Sequence, residues 1–327
     1  MDLVNPTKFH GWRMLAACAL LCPMLCAAPL AHPAPYASLL VKDLDTGKII
    51  LSDSPDTPHY PASLTKLMTL YLLFDRLGNG SLSLDHRFTV SREAAAQPPT
   101  KLGLRPGATI SAEECIEALI VKSANDIAVV VAEGIAGDVP AFAEMMTAKA
   151  RELGMENTVF RNPNGLPNTE QVTTSRDLAT LATALVQDFP QFYHYFSIRT
   201  CKIGSITLTT HNNFLEMFNG AEGMKTGYTH DAGFNLVATA ERGGHRLVGV
   251  ILGAKGAARR DITMVSTMDS AFEQIGVPQP EAKPVAELHV KKQVAAAVRP
   301  TRTVRTPVHR ARVVRRHVVR RHRSRAA

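Results

Sequence analysis

The sequence has few cysteines and none of the short motifs that hold metal ions or phosphates. Three of its five cysteines lie within the first 31 residues, which leaves Cys115 and Cys201 in the remainder. No C-x-x-C, H-E-x-x-H or clustered His/Asp pattern has metal-ligand spacing, and no glycine-rich phosphate loop occurs. We therefore expect no cofactor and no metal site. Cys115 falls in a predicted helix and Cys201 near a distant predicted strand, so two buried free thiols are expected rather than a disulfide.

Long apolar runs are also missing, apart from one short run near the amino terminus. Basic residues precede the run Met14–Ala28, which Pro23 interrupts and which ends in small residues. This pattern predicts a secretory signal peptide over residues 1–31, cleaved between Ala27 and Ala34. The run is shorter than the roughly 20 apolar residues of a spanning helix, which argues against a retained anchor. We expect an exported protein, periplasmic or otherwise associated with the cell envelope.

Acidic residues are nearly absent from the carboxyl-terminal part. Residues 281–327 hold 14 lysines and arginines and two acids, a net charge of +12, whereas the first 280 residues hold 23 basic and 27 acidic residues, a net charge of −4. Without a sustained helical or strand period, residues 277–327 are predicted to form a disordered basic tail. An export signal conflicts with nucleic-acid binding, so no nucleic-acid partner is expected. Anionic membrane or wall polymers are the candidate partners of residues 281–327.

The order of predicted elements indicates an α+β protein. A strand pair over Ser38–Leu51 is followed by helical patterns from residue 63 to residue 187. Strand patterns then return, and Asp261–Ile275 reads as a closing helix. The later strands are predicted at Ile203–Thr210, Gly223–Tyr228, Phe234–Ala240 and Arg246–Leu252. This order favours one sheet that contains the terminal strands, with the helical block inserted between them.

A buried helix opens at Pro61-Ala-Ser-Leu-Thr-Lys66. The run Leu67–Phe74 that follows is almost wholly apolar, so no face is left for water. Ser63 falls in the first turn and Lys66 one turn later on the same side. A serine nucleophile needs an adjacent base, and a desolvated lysine loses its proton more readily. Alternatively, Ser63 caps the helix and Lys66 is solvated; the S-x-x-K pattern alone does not decide between the two.

Two further short motifs decide in favour of catalysis. Ser123-Ala-Asn125 ends a helical apolar run, and Lys225-Thr-Gly227 lies on a predicted strand. Singly, these residues could be a helix-end serine, a turn amide and a strand-end lysine. In sequence order with Ser63 and Lys66 they form S-x-x-K, S-x-N and K-T-G, the motif set of penicillin-binding proteins and serine β-lactamases.

Longer stretches resemble one family within this group. The sequence is similar to D-alanyl-D-alanine carboxypeptidases, the low-molecular-mass penicillin-binding proteins, over roughly residues 36–275. The resemblance implies a β-lactamase/transpeptidase-like fold of two lobes, a central antiparallel sheet flanked by helices and an inserted all-helical lobe. It predicts a catalytic domain over residues 32–276. The stretches that carry it are Tyr60–Tyr71, Lys101–Gly107, Lys122–Asp126, Asn164–Leu166, Gly223–Thr229 and Gly233–Val237.

The resemblance implies a serine-type peptidase that cleaves the D-Ala-D-Ala terminus of peptidoglycan stem peptides and is acylated by β-lactam inhibitors. Ser63 would attack the carbonyl, with neutral Lys66 taking its proton. Ser123 would pass a proton to the leaving D-alanine, and Asn125 would hold the substrate amide and help to fix Lys66. Backbone N–H groups of Ser63 and Tyr228 would form the oxyanion hole.

The remaining predicted contacts hold the substrate. Lys225 adds positive charge, which favours a neutral Lys66 and attracts the anionic peptide terminus. Gly227 lets the ligand approach the strand closely. Thr226 and Arg246 would bind the terminal carboxylate, although Arg246 could equally be a solvated cation at a strand end.

Three other functions share parts of this pattern. A β-lactamase needs a positioned deacylating base, and the loop Asn162–Asn168 has no acid until Glu170, which favours the carboxypeptidase. A DD-endopeptidase would carry the same motifs and stays open. A catalytically silent wall-binding module is disfavoured by the intact motifs. We expect no second domain after Gly276, because 51 residues follow it.

Overall fold

The computed structural model describes residues 34–279. The predicted signal peptide, residues 1–31, lies outside the described residues, as does the predicted tail from residue 280 onward. Within the described part, no helix combines the length and the apolar character needed to cross a membrane.

The described chain contains nine strands and eight α-helices. The strands are β1 (Ser38–Asp43), β2 (Ile49–Asp53), β3 (Arg87–Thr89), β4 (Thr109–Ser111), β5 (Thr200–Ile203), β6 (Ile206–Thr209), β7 (Ala221–Thr229), β8 (Gly233–Arg242) and β9 (His245–Ala254). The helices are α1 (Lys66–Gly78), α2 (Arg92–Ala96), α3 (Ala112–Glu117), α4 (Asn125–Ala136), α5 (Val139–Glu152), α6 (Ser175–Asp188), α7 (Phe214–Met217) and α8 (Ala257–Gln274).

A five-stranded antiparallel sheet has the order β2-β1-β9-β8-β7. The amino-terminal hairpin therefore pairs with the last strand of the sequence, with Val41 opposite Gly249. The predicted sheet of terminal strands, with helices inserted between them, is confirmed. β7 pairs only with β8, so one of its edges is left for another partner.

Two apolar layers cover the two faces of this sheet. On one face, Val237 and Val250 belong to the large core that includes α1 and the helical lobe. On the other face, Leu236 and Ile251 pack with apolar side chains of α8, among them Met268. Because helices cover both faces, β8 and β9 are buried along most of their length. On the first face α6 packs against β1 and β9, and on the second face α8 packs against β8 and β9.

The structure differs from the predictions in three places. The predicted strand Ile203–Thr210 is the separate hairpin of β5 and β6, outside the main sheet. The closing helix begins at Ala257, four residues before the predicted start, which brings Arg260 into its first turn. Both cysteines are free, as predicted, but only Cys115 is buried, and Cys201 is partly exposed.

Candidate active site

Ser63 and Lys66 meet at the junction of two helical segments. Ser63 lies in a 3₁₀ turn, Ala62–Thr65, which runs directly into α1 at Lys66. The Nζ atom of Lys66 is 3.2 Å from Oγ of Ser63. Ala62, immediately before Ser63, has a φ of 49°, in the left-handed region that non-glycine residues seldom adopt. The chain therefore turns sharply at this point and presents Ser63 at the start of a buried helix.

Lys66 is fully buried and lies among oxygen atoms. Its Nζ atom donates to Oδ1 of Asn125 at 2.8 Å and to the carbonyl of Asn164. Burial, reinforced by the positive charge of Lys225 and opposed by Asp126, holds the pKa of Lys66 well below its ordinary value. An uncharged amine has two N–H donors, which these two oxygens accept, and one lone pair, which is left for the hydroxyl of Ser63. The geometry thus suits a neutral Lys66 acting as a base.

The S-x-N motif forms one wall of the cleft. A π-helical turn, Ala118–Lys122, ends at Ser123, whose left-handed conformation (φ 59°, ψ 39°) turns the chain before α4 begins at Asn125. Asn125 is 4% exposed and its Nδ2 donates to the carbonyl of Pro98 at 3.1 Å. Both amide atoms of Asn125 are therefore engaged, and its Oδ1 is held towards Lys66.

The K-T-G motif forms the opposite wall on β7. Lys225 is 2% exposed, and burial together with the positive charge of Arg260 lowers its pKa to about 7. A Cβ atom on Gly227 would lie 3.2 Å from the backbone nitrogen of Ser63. Only a residue without a side chain lets the strand come so close. β7, which continues into Tyr228, therefore packs against the turn that carries Ser63.

A cleft of about 410 Å³ joins these groups. Of the predicted site residues, Ser63, Ser123, Asn125, Thr226, Gly227 and Tyr228 line it. Lys66 and Lys225 lie buried behind the lining, and Arg260 together with Lys225 marks its cationic end. His211 also lines the cleft, and burial together with the charges of Lys225 and Lys122 lowers its pKa.

Arg246 does not line this cleft. Its guanidinium forms a two-point ion pair with Glu222, at 2.6 and 2.9 Å, and lies 5.5 Å from the ring centre of Tyr193. Arg246 is at the start of β9, four residues before Val250. Val250 pairs with Val237 of β8, which in turn pairs with Lys225 of β7. Four residues of strand span about 13 Å, so Arg246 lies about that far along the sheet from the level of Lys225.

Two functional candidates were missed from the sequence, Arg260 and Asn164. Arg260 is 4% exposed, lines the cleft and donates to Oδ1 of Asp261 at 2.8 and 2.6 Å. Arg260 lies in the first turn of α8, and this position could have identified it. It was missed because the sequence pattern predicted that the helix begins at Asp261, four residues too late. The backbone carbonyl of Asn164 contacts Lys66, and a carbonyl leaves no signature in side-chain types.

Groups that could hold a metal ion lie elsewhere. Among residues 34–279, Asp43, Asp45 and His245 form the one cluster of histidine and acidic side chains compact enough for an ion. These residues lie at the β1–β2 turn and the start of β9, at the same end of the sheet as Arg246 and away from Ser63.

Comparisons with known proteins agree with this geometry. The model of the D-alanyl-D-alanine carboxypeptidase family, peptidase S11, matches residues 28–256. The chain is 32% identical to D-alanyl-D-alanine carboxypeptidase DacF of Bacillus subtilis, over 75% of this chain and 64% of the relative. Penicillin binding protein 6B of Escherichia coli superposes with a TM-score of 0.68 at 32% identity, over 75% of this chain and 80% of that one.

A second solved structure contains a bound β-lactam. Penicillin-Binding Protein D2 of Listeria monocytogenes in its ampicillin-bound form superposes with a TM-score of 0.65 at 28% identity, over 73% of this chain and 97% of that one. The chain spans between 56% and 64% of the length of the first three curated relatives that it matches.

Proposed function

Because the chain belongs to the D-alanyl-D-alanine carboxypeptidase family, we propose that it is a serine-type carboxypeptidase that removes the terminal D-alanine from peptidoglycan stem peptides. The observation that carries this proposal is the buried Lys66, whose Nζ atom lies 3.2 Å from Oγ of Ser63 while Asn125 and Asn164 occupy its N–H groups. A neutral amine in that position is the base that a serine nucleophile needs.

In the acylation step, Oγ of Ser63 attacks the carbonyl carbon between the two D-alanines, and its proton moves to Nζ of Lys66. The backbone N–H groups of Ser63 and Tyr228 stabilise the oxyanion that develops. When the C–N bond breaks, the proton passes through Ser123 to the leaving amine. The products of this step are free D-alanine and an ester on Ser63, and Lys66 is neutral again.

The cationic end of the cleft binds the terminal carboxylate in this proposal. Thr226 and Arg260 line the cleft there, and Lys225 lies buried behind them. A carboxylate entering beside Lys225 favours the protonated form of that lysine, and the added charge in turn favours a neutral Lys66. Substrate capture and activation of the nucleophile are thus coupled.

Hydrolysis of the ester by water completes the cycle, and we expect this step to be slow for β-lactams because no acidic side chain lines the described cleft. Glu170, the acid nearest in sequence to the loop beside Lys66, is exposed and pairs with Arg161 at 2.8 Å. It does not line the described cleft. This argues for a penicillin-sensitive carboxypeptidase rather than a β-lactamase. A DD-endopeptidase would use the same groups and is distinguished by its product.

We further propose that the protein acts outside the cytoplasm, at the cell envelope. The signal-peptide pattern of residues 1–31 supports this location, as does a substrate that belongs to the cell wall. Residues 281–327, with a net charge of +12, are proposed to hold the enzyme at anionic surfaces.

Intact-mass measurement after incubation with benzylpenicillin tests the proposed chemistry. We expect a long-lived adduct of one penicillin on Ser63, and release of free D-alanine from a D-Ala-D-Ala peptide by the same preparation. The Ser63→Ala variant should form no adduct. Lys66→Met should be acylated about 10²- to 10⁴-fold more slowly, the range that a general base contributes.

Lys42→Met is the matched control, because Lys42 lies on β1 and contacts Thr183, away from the cleft. This variant should be acylated at the wild-type rate. Rapid turnover of penicillin without an adduct would instead indicate a β-lactamase, and cleavage of cross-linked peptides without release of D-alanine would indicate an endopeptidase.

A further inference from the structure

Three side chains with metal-binding chemistry meet at one end of the main sheet, a placement that no spacing in the sequence indicates. Asp43 ends β1, Asp45 lies in the turn between β1 and β2, and His245 begins β9. The pairing of β1 with β9, which sets Asp43 opposite Leu247, brings them together. One carboxylate oxygen or ring nitrogen of each lies within 4.8 Å of those of the other two. We call these three residues the sheet-end cluster.

The ring of His245 has a buried nitrogen without a hydrogen bond. Its Nδ1 atom is shielded from water and has no partner among residues 34–279. Oδ2 of Asp43 lies 3.6 Å from this nitrogen, which is longer than a hydrogen bond. Buried polar atoms are nearly always bonded in proteins. This nitrogen is therefore suited to a ligand that approaches from the side of Asp43.

The two carboxylates are held in place by the backbone. The side chain of Asp43 is 4% exposed, and its Oδ1 accepts the N–H groups of Asp45 and Thr46 at 2.8 and 2.9 Å. Oδ2 of Asp43 is thereby turned towards His245. Asp45 is exposed, but its Oδ2 accepts the N–H group of Arg246 at 3.2 Å. Hydrogen bonds of this kind orient the carboxylates that bind metal ions.

The charges and the ligand types favour a divalent transition metal. The two carboxylates are negative, and the neighbouring cation Arg246 is already paired with Glu222, at 2.6 and 2.9 Å. A ring nitrogen suits zinc, whereas magnesium and calcium prefer oxygen atoms. Ligand atoms of a tetrahedral zinc ion lie about 3.3 Å apart. The 3.6 Å between Oδ2 of Asp43 and Nδ1 of His245 is already close to that spacing.

We propose that the sheet-end cluster binds one zinc ion through Nδ1 of His245 and carboxylate oxygens of Asp43 and Asp45, with water as the fourth ligand. The ring proton of His245 then lies on Nε2. The ion ties the β1–β2 turn to the first residue of β9 and so stabilises this end of the sheet. Because the cluster lies away from Ser63, the ion takes no part in acyl transfer, and the site is independent of the proposed carboxypeptidase activity.

Thermal unfolding of the full chain with added zinc chloride tests the site. At ten times Kd we expect Tm to rise by about 3–6 °C, because an ion that binds only the folded protein stabilises it. His245→Gln and Asp43→Asn, each compared with its own Tm without zinc, should lose this rise. The asparagine keeps a side-chain oxygen for the N–H groups that Asp43 now accepts. Magnesium chloride should cause no rise.

Two further measurements separate a specific site from general metal binding. Cobalt(II), which replaces zinc and absorbs visible light, should give absorption bands that His245→Gln and Asp43→Asn both lose. Acylation by benzylpenicillin, measured well below Tm, should proceed at the same rate with and without zinc. A rate that depends on zinc would contradict the separation of the ion from the chemistry at Ser63.

His230→Gln is the matched control. Nδ1 of His230 also lies beside a carboxylate, that of Asp231 at 2.9 Å, but the pair has no third metal-binding side chain among the described residues. This variant should keep the full rise in Tm. A rise that persists in His245→Gln would place the zinc elsewhere, for instance on the histidines after residue 279, and would overturn the site. An equal rise with magnesium, or none with zinc, would overturn it as well.

Discussion

At the scale of single residues, the site is built from cations that are hidden from water. Lys66 is 0% exposed, Lys225 2% and Arg260 4%. Burial lowers the pKa of both lysines, and a neighbouring positive charge adds to the effect, that of Lys225 for Lys66 and that of Arg260 for Lys225. This arrangement opposes folding at neutral pH and supplies a base for catalysis.

We predict that Lys225 makes the enzyme more stable as pH rises from about 7. The ammonium group of Lys225 has a pKa of about 7 in the folded protein and the ordinary value of 10.5 in the unfolded chain. Between these two pH values the unfolded chain holds the proton and the folded protein does not, so unfolding takes up a proton. The free energy of unfolding therefore rises by about 1 kcal/mol per pH unit above pH 7.5, which raises Tm by about 2–4 °C per pH unit. Lys225→Met should remove this contribution.

The measurement is the difference in Tm between wild type and Lys225→Met at pH 7.0, 7.8 and 8.6. Taking the difference cancels the effect of groups that titrate alike in both proteins, such as Cys115, whose pKa burial raises. A difference that stays constant across these pH values would refute the pKa assigned to Lys225.

A second prediction separates the two arginines. Arg260→Gln should lower kcat/KM for a D-Ala-D-Ala peptide about 10-fold or more, since hydrogen bonds to charged groups are worth about 1.5–3 kcal/mol. The loss should shrink for the same peptide with an amidated carboxyl terminus, which a structural defect would not explain. Arg246→Gln should leave kcat/KM unchanged. Equal losses of kcat/KM in the two variants would show that Arg246 contributes to the site as much as Arg260 does.

At the scale of elements, the 3₁₀ turn that carries Ser63 is held from two sides. On the sheet side, Asn235 of β8 donates from Nδ2 to the carbonyls of Tyr60 and Pro61, at 2.9 and 3.2 Å. On the other side, Gly165 packs so tightly that a Cβ atom there would lie 1.9 Å from the carbonyl oxygen of Ala62. The nucleophile is positioned by backbone packing between a strand and a loop.

The Gly165→Ala variant tests this packing. Gly165 has a φ of +83°, a backbone conformation that strains any residue with a side chain. The added Cβ atom would also clash with the carbonyl of Ala62, which would push the loop and the carbonyl of Asn164 away from Lys66. We expect slower acylation by penicillin and a lower Tm.

Gly154→Ala is the control for the Gly165 substitution. Gly154 has a φ of +82° with no atom within 4 Å of its added Cβ, so it carries the conformational strain of about 1–2 kcal/mol without the clash. Its acylation rate should stay at the wild-type value. If both variants lose the same Tm and keep normal acylation, the packing of Gly165 does not position the site.

At the scale of the whole molecule, charge is divided between a mildly acidic body and a strongly basic carboxyl-terminal segment. Residues 281–327 hold 11 arginines and three lysines, and guanidinium groups pair well with phosphates. Near an anionic membrane each such charge contributes about 1 kcal/mol of attraction. Partial engagement of the segment would therefore retain the enzyme at a phosphate-bearing surface.

We predict that removal of residues 281–327 leaves activity on a small soluble peptide intact but abolishes sedimentation with anionic phospholipid vesicles. Binding of the full-length enzyme should weaken steeply with salt, because the Debye length shortens. Vesicles of zwitterionic lipid are the control and should bind neither form. Binding that is indifferent to salt, or that survives the truncation, would contradict this role.

The sequence by itself determined the family and the α+β class, with the terminal strands in one sheet. The order of Ser63, Lys66, Ser123 and Lys225 along the chain was enough, because each motif combines residue types that this chemistry requires. The hairpin, helical block and returning strands fixed the α+β class, and the resemblance to D-alanyl-D-alanine carboxypeptidases is confirmed. These features are encoded in local patterns, which a single sequence carries in full.

Only the tertiary structure decided which arginine faces the cleft and which atoms hold Lys66. Arg246 and Arg260 are 14 positions apart in the sequence, and both lie near the end of a predicted element. Their separation in space depends on the antiparallel register of β8 and β9 and on where α8 begins. The contact between the carbonyl of Asn164 and Lys66 likewise arises where distant segments meet. Such contacts are non-local, and no periodicity within one segment records them.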